Sequence, residues 1–227
     1  MNGQPVISVR GEATLEVDPE IAVVGVTIQA RDRDRETVLR RLADRNREVT
    51  DLIKGYGEAV EKLESGPVSV RPELKEKRAG ERVAGYFATA STSVTIRDFT
   101  VLGELIVRLA DAELATVDGF WWALRPGSPV YREARMAAAR DATVRAGEYA
   151  EAFGGRLGDL LEAADSGLLT SDARPEVFRR AMAQGRASAA AASAQPELDL
   201  EPARQSVSAQ VDARFEMTRP AAGQTAS

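Results

Sequence analysis

Residues 85–125 constrain this chain more than any other stretch, because strand, helix and strand follow one another there with little room for another assignment. Tyr86, Ala88, Ala90, Thr92, Val94 and Ile96 alternate with Phe87, Thr89, Ser91, Ser93, Thr95 and Arg97. A period of two marks a strand with one face against a core. Asp98 then offers the side-chain oxygen of a helix N-cap, and Phe99, Leu102, Leu105, Ile106 and Leu109 recur at helical spacing on a helix expected to run through Ala112. Residues 117–124 return to extended chain. A sheet layer against a helix layer follows.

Upstream, Val9, Gly11, Ala13, Leu15 and Val17 alternate with Arg10, Glu12, Thr14 and Glu16, a strand with one wet face. Asp18-Pro19 breaks it. Residues 21–30 are apolar on both sides at first, which suits a more central strand paired back on the first as a hairpin. Asp32 or Asp34 opens a helix to about Tyr56, with Val38, Leu42, Val49, Leu52 and Ile53 on its apolar side and Gly55 and Gly57 as its stop. A strand is expected at 68–74, and 75–82 reads as an exposed hairpin connection. Pro126-Gly127-Ser128-Pro129 turns the chain into an alanine-rich helix, 130–153, whose small face (Ala134, Ala138, Ala142) permits close packing on a sheet. Gly154-Gly155 ends it, and 157–163 adds a short strand.

Composition changes at 166. A short helix is expected at 175–184, carrying Phe178 and Met182, whereas 186–202 is Ala, Ser, Gln, Pro and Glu with little to bury, so 166–204 reads as a flexible insertion. Val207, Ala209, Val211, Ala213, Phe215 and Met217 then alternate with polar residues as a strand of the same sheet as 9–17 and 21–30. Residues 218–227 read as a disordered tail. The expected fold is therefore α+β, a mixed, largely antiparallel sheet with three main helices packed mostly on one face, in a single domain over 6–217.

The chemistry is narrowed mainly by two missing residue types. The 227 residues contain no cysteine and no histidine, which removes thiolate nucleophiles, sulfur-ligated metals and every Ser-His or Cys-His arrangement. With 30 Lys and Arg against 35 Asp and Glu the net charge is -5, so nothing global recommends nucleic acid. Seven arginines between Arg31 and Arg47 are interleaved with Asp32, Asp34, Glu36 and Asp44, the pattern of a solvated, ion-paired helix face and not of a phosphate stripe. Gly55-Tyr56-Gly57 is only a fragment of a nucleotide-binding loop, and Gly154-Gly155-Arg156 follows a helix, away from its amide-rich end. Carboxylate pairs such as Glu73 with Glu76 or Asp159 with Glu162 lack an apolar setting that would shift a pKa. No catalytic residue, metal ligand or cofactor is expected. Residues 1–5 lead straight into strand-like sequence without the apolar core of a signal peptide, and no apolar run reaches membrane-spanning length, so a cytoplasmic location is expected.

Three places resemble the SIMPL domain family of bacterial proteins: Val9-Arg10-Gly11-Glu12-Ala13 with Val17-x-Pro19-x-x-Ala22; Gly85-Tyr86 entering a Ser/Thr-rich strand, then Ile96-Arg97-Asp98 and Leu102-Gly103-Glu104-Leu105; and Gly119-Phe120-x-Trp122-x-Leu124 with Glu133-Ala134-Arg135, Ala139-x-Asp141-Ala142 and Leu157-Gly158. The resemblance implies an α+β domain, a tendency to self-assemble, no established catalytic residues and, for some relatives, a link to oxidative-stress defence. Two functions follow as expectations: a non-catalytic cytoplasmic interaction module that forms a homo-oligomer or docks a protein partner, or a small-molecule binding protein or enzyme using a cleft between sheet and helices. The residue least explained by packing is Trp121. Strand alternation puts Phe120, Trp122 and Leu124 toward the helices and Trp121 on the opposite face beside Gly119 and Ala123, a candidate interface. Cover by the insertion through Phe178 and Met182, self-association and ligand stacking all stay open for it.

Overall fold

The computed structural model describes residues 4–77, 80–165 and 200–218. Its elements run β1 (Val6–Val17), β2 (Ile21–Asp32), α1 (Arg35–Lys54), β3 (Val60–Lys77), β4 (Gly80–Ile96), α2 (Leu102–Ala110), β5 (Ala115–Ala123), α3 (Pro129–Ala152), β6 (Leu157–Asp165) and β7 (Gln205–Met217). Helices and two sheets make an α+β protein, but the strands pair differently from the single mixed sheet expected. One sheet has the order β1-β7-β6 and the other β3-β4-β2-β5, and every pairing is antiparallel. The hairpin expected between β1 and β2 does not form. β1 pairs along its whole length with β7, whereas β2 is flanked by β4 and β5, so β7 shares a sheet with β1 and not with β2. The chain accordingly divides into two compact units, one of β1, α3, β6 and β7 and one of β2 to β5 with α1, α2 and residues 200–204. Among the described residues no helix is long and apolar enough to cross a membrane.

In the four-stranded unit, Ala22, Val24, Val26, Ile28 and Ala30 of β2 project toward α1 and α2, and all are fully or almost fully buried. Val38, Leu42, Val49 and Ile53 of α1 and Leu102, Leu105 and Leu109 of α2 close the layer. α1 starts where expected, because the Asp34 carboxylate accepts from Thr37 N–H at 2.8 Å and Thr37 Oγ1–H at 2.9 Å. Asp98 caps in the same way, accepting from Thr100 N–H at 3.0 Å, but a single 3-10 turn at Phe99–Val101 comes before α2. β3 begins eight residues earlier than expected. Its charged start, Glu61-Lys62-Leu63-Glu64, is an outer strand that needs only one apolar side, and Leu63 supplies it against the core. Leu200, inside the insertion expected at 166–204, packs against this core, and Arg204 Nε reaches Asp18 Oδ1 at 3.4 Å. The rest of that insertion, the helix expected at 175–184 and the tail beyond 218 lie outside the described residues.

In the three-stranded unit the alanine face of α3, Ala134, Ala138, Ala142, Ala146 and Ala150, is buried throughout. α3 packs on β1 and β7, and at Gly11 the approach leaves no room for a side chain: a Cβ there would lie 2.5 Å from Ala142 N and 2.7 Å from Ala142 Cβ. Glu12 N–H donates to Asp141 Oδ2 at 2.9 Å, and Arg145 pairs with the same carboxylate at 2.7 Å, fixing the helix on the strand. Gly154, at φ 72°, ends the helix in the left-handed cap that glycine favours.

Two outcomes follow. Gly11→Ala must push α3 off β1, and overpacking of this kind costs about 1–3 kcal/mol, so its urea midpoint falls while that of Gly57→Ala, whose neighbourhood is open, moves through backbone strain alone. Second, hydrogen bonds from Thr37 hold the Asp34 carboxyl below its ordinary 3.8, those from Thr100 do the same for Asp98, and the Arg125 guanidinium lowers Glu61 from 4.5. Groups whose folded pKa is depressed stabilise the fold above the unfolded value and lose that contribution as pH falls through it. The melting temperature is therefore level above pH about 5 and drops below pH about 4, and Asp34→Ala with Asp98→Ala flattens the drop; an unchanged acid limb in the double variant would exclude the caps as its source.

Candidate functional site

β5 lies at the outer edge of the four-stranded sheet with β2 as its one neighbour. Ala22 faces Trp122, Val23 faces Trp121, Val24 faces Phe120 and Gly25 faces Gly119, after which the register slips so that Val26 faces Val117. The residue left over is Asp118. On the helix side Trp122 meets Phe99 edge-on at 4.7 Å and Phe120 edge-on at 5.5 Å, an aromatic group that anchors β5 to the 3-10 turn ahead of α2. The indole of Trp121 therefore emerges on the other face, 47% exposed. Ala123, opposite Ile21, is half-buried, and its carbonyl accepts from Glu20 N–H at 3.0 Å.

All three residues expected at the candidate interface thus sit on β5, with Trp121 pointing where alternation placed it. Strict alternation would also turn Asp118 to the core side with Phe120. It does not, because Gly119 has φ 137°, a backbone that L side chains rarely adopt, and the bulge brings Asp118 onto the open face. There Asp118 Oδ2 accepts from Thr27 Oγ1–H at 2.6 Å, above the bare backbone of Gly25, whose position for a Cβ is 3.5 Å from Asp118 Cβ. Asp118, Thr27 and Gly25 were missed by reading one strand at a time. The available signal was the Asp118-Gly119 dipeptide inside a strand pattern, a bulge signature. The same open face carries Ser93, opposite Gly25, and Thr95, opposite Val23.

Among the described residues Val24, Val26, Ile28, Val94, Leu102, Leu105 and Leu109 fill the centre of the layer between sheet and helices at 0% exposure. Four arginines of α1 are paired as expected of a solvated face: Arg41 with Asp32 at 3.1 Å, Arg40 with Glu36 at 3.2 Å, Arg45 with Glu48 at 2.5 Å and Arg47 with Asp44 at 3.9 Å. Glu73 pairs with Arg31 at 2.8 Å and Glu162 with Arg214 at 3.3 Å, so neither expected carboxylate pair stands alone. Arg125 bonds Glu61 through two nitrogens, at 2.6 and 3.0 Å, and lies 3.7 Å from Glu20, which raises its own pKa and ties the end of β5 to β3. At the far end of the open face Arg31 and Arg71 lie over the Phe87 ring, 5.3 and 4.9 Å from its centroid. A shallow depression of about 380 Å³ in the other unit is lined by Leu15, Arg132, Glu133, Met136, Ala137 and Arg140. Among the described residues no three acidic side chains converge as a metal site. What the Trp121 surface offers chemically is an aromatic plane, the backbone of Gly119 and one carboxylate.

The chain is similar to the 26 kDa periplasmic immunogenic proteins of Brucella melitensis and Brucella abortus, each 25% identical over 170 residues that cover 71% of this chain and 67% of the relative. A solved structure from Burkholderia cenocepacia, described as a candidate amidohydrolase/peptidase, aligns at 19% identity and a TM-score of 0.24, over 60% of this chain and 35% of that one, a likeness too low to carry an argument. Both Brucella relatives are named as periplasmic, which overturns the cytoplasmic location expected from the sequence and with it the cytoplasmic interaction module. The family model that matches covers residues 7–215, nearly the whole chain, and the protein belongs to the SIMPL family, proteins of unknown function (DUF541).

Proposed function

We propose that this chain works in the bacterial periplasm as a non-catalytic binding protein, and that its working surface is the open face of the four-stranded sheet around Trp121. The observation that carries this reading is the exposure of that indole, 47%, on a strand whose other face is locked into the core by Phe120 and Trp122. A large aromatic held rigidly in water is a binding anchor that forfeits little conformational entropy when it is covered. The names of the Brucella relatives support the location. A chain without cysteine also suits an oxidising compartment, because no thiol can mispair during folding there. Absence of histidine and cysteine supports the non-catalytic part.

Self-association is the second reading. Besides Trp121, Leu160 and Leu161 of β6 are 56% and 48% exposed, and neighbouring apolar residues left in water favour a second copy of the chain as their cover.

Osmotic-shock fractionation of the native bacterium releases the protein with the periplasmic fraction; recovery with cytosolic markers would sink the location. For the surface, Trp121→Ala shifts stability by no more than about 0.5 kcal/mol, as an exposed position allows. A loss above about 2 kcal/mol would make the indole a packing element. Light scattering on wild type and Leu160→Glu/Leu161→Glu tests the second reading, and a monomer in the wild type removes it.

A further inference from the structure

We infer that Trp121, the facing glycines Gly25 and Gly119, and Asp118 form a subsite for a neutral saccharide, one that stacks a pyranose ring on the indole and takes its hydroxyls on the carboxylate. This rests on the reading of the open face as the working surface and names the class of ligand it takes.

The two glycines are the starting point. Gly11, Gly85 and Gly155 have a packing reason, because a Cβ at each would come within 3.0 Å of backbone atoms of another segment. Gly25 has none. Its nearest neighbour to an added Cβ is Asp118 Cβ at 3.5 Å, ordinary contact, and its φ is not positive. Glycine in a strand interior is less favourable than alanine and typically marks a bulge or a place where a ligand approaches the backbone closely. Gly119, directly opposite, is required by its φ of 137°, and a Cβ there would meet nothing within 4 Å. Side by side on β2 and β5, the pair leaves a strip without side chains of its own on the open face, bordered at Gly25 by the Asp118 carboxylate and open at Gly119.

The borders of this strip differ in chemistry. Trp121 faces Val23 and the bulged Asp118 lies over Gly25, two residues along β2, so indole and carboxylate are rooted about 7 Å apart along the sheet at the usual rise per residue. Asp118 Oδ2 is engaged by Thr27 Oγ1–H at 2.6 Å, which orients the carboxylate and leaves Oδ1 as an acceptor. Ser93, opposite Gly25, and Thr95, opposite Val23, add hydroxyl side chains on β4. A pyranose has an apolar face of axial C–H groups and a rim of hydroxyl groups. Its face fits the indole, its neighbour along the chain lies over Gly119, where no side chain comes within 4 Å of the position of a Cβ, and the rim donates to Asp118. Sugars with equatorial substituents, as in β-1,4-linked chains, present that flat face repeatedly. Anionic sugars are disfavoured, because the strip carries a carboxylate with no cation paired to it among the described residues, in a chain of net charge -5. An extended peptide added to the edge of β5 is disfavoured as well, since the bulge at Asp118 interrupts the ladder such a peptide would continue.

The test uses the full chain and N,N′,N″-triacetylchitotriose and cellotriose, read by intrinsic tryptophan fluorescence and by calorimetry, with maltotriose and trigalacturonic acid beside them. Saturable binding of at least one β-1,4-linked trimer is expected in the range of about 0.1–5 mM, at least tenfold weaker in Trp121→Ala, retained within a few-fold in Trp121→Phe and weakened several-fold in Asp118→Asn. Gly25→Val, whose Cβ would lie 3.5 Å from Asp118 Cβ and 3.7 Å from Asp118 Oδ2, displaces the carboxylate and weakens binding at least as much as Asp118→Asn. No saturation by either β-linked trimer, or wild-type affinity retained in Trp121→Ala, would overturn the saccharide subsite. Preference for trigalacturonic acid would overturn it also. If the sugars fail and Trp121→Ala instead reduces the mass measured by light scattering at unchanged melting temperature, the open face remains the working surface with a second copy as its occupant; if Trp121→Phe and Trp121→Ala both melt early, the underlying reading falls with the subsite.

Discussion

Burial of one side of β2 is the constraint on which the four-stranded unit depends. Ala22, Val24, Val26, Ile28 and Ala30 form a continuous apolar row at 0–1% exposure, and the strand is hydrogen-bonded on both edges. A strand in that position cannot slip by one residue without turning the whole row toward the opposite face. Its register therefore fixes β4 and β5, and these set where α1 and α2 find apolar partners. Trp121 inherits its exposure from the same row. Phe120 and Trp122 must follow Val24 and Ala22 into the core, and the residue between them has only the other face to occupy.

That logic explains which parts of the molecule were legible in the sequence. Alternation reports the face of a side chain, and it placed Trp121, the strand at 86–96 and the last strand correctly, because each buries one complete side. It does not report the partner. β1 and β2 are separated by little more than Asp18-Pro19 and read as a hairpin, yet β1 finds β7 about 200 residues away in sequence and β2 finds β4 and β5. Pairing energy is similar for any apolar-faced strand, so the choice is made by what each assembled sheet can cover, a sum over elements that no local window contains. The strand start at Val60–Ser65 was hidden for a different reason: on an outer strand charged residues such as Lys62 and Glu64 cost little, and they mask the apolar signal of Leu63.

The open-face site was only half legible for a third reason. Trp121, Gly119 and Ala123 lie on one strand and could be found from it. Thr27 and Gly25 come from β2 and meet Asp118 only through the antiparallel register, and Asp118 itself is on the open face because one glycine at φ 137° shifts the phase of β5. A bulge is a one-residue event with consequences for every side chain on one side of it. The sequence shows the dipeptide that permits it but not the strand opposite, whose Gly25 lies beneath the carboxylate.

The outer strands also bear on how this protein can meet a partner. β3 carries Pro67 and Pro72 and three register shifts, β5 its bulge, and β6 two shifts together with Asp159, Glu162 and Asp165. Prolines, bulges and charges are the devices by which sheets prevent another chain from adding a strand. With the edges at β3, β5 and β6 blunted in these ways, the exposed apolar residues of those strands, Trp121 among them, are available from the faces of the sheets and not through the backbone ladder. Recognition through a face depends on side-chain shape and chemistry, whereas strand addition depends mostly on backbone groups that every peptide shares. A binding surface made of one indole, two glycines and one oriented carboxylate is therefore selective in a way that an open edge would not be, and its selectivity is for small, flat, hydroxyl-bearing ligands more than for extended chain.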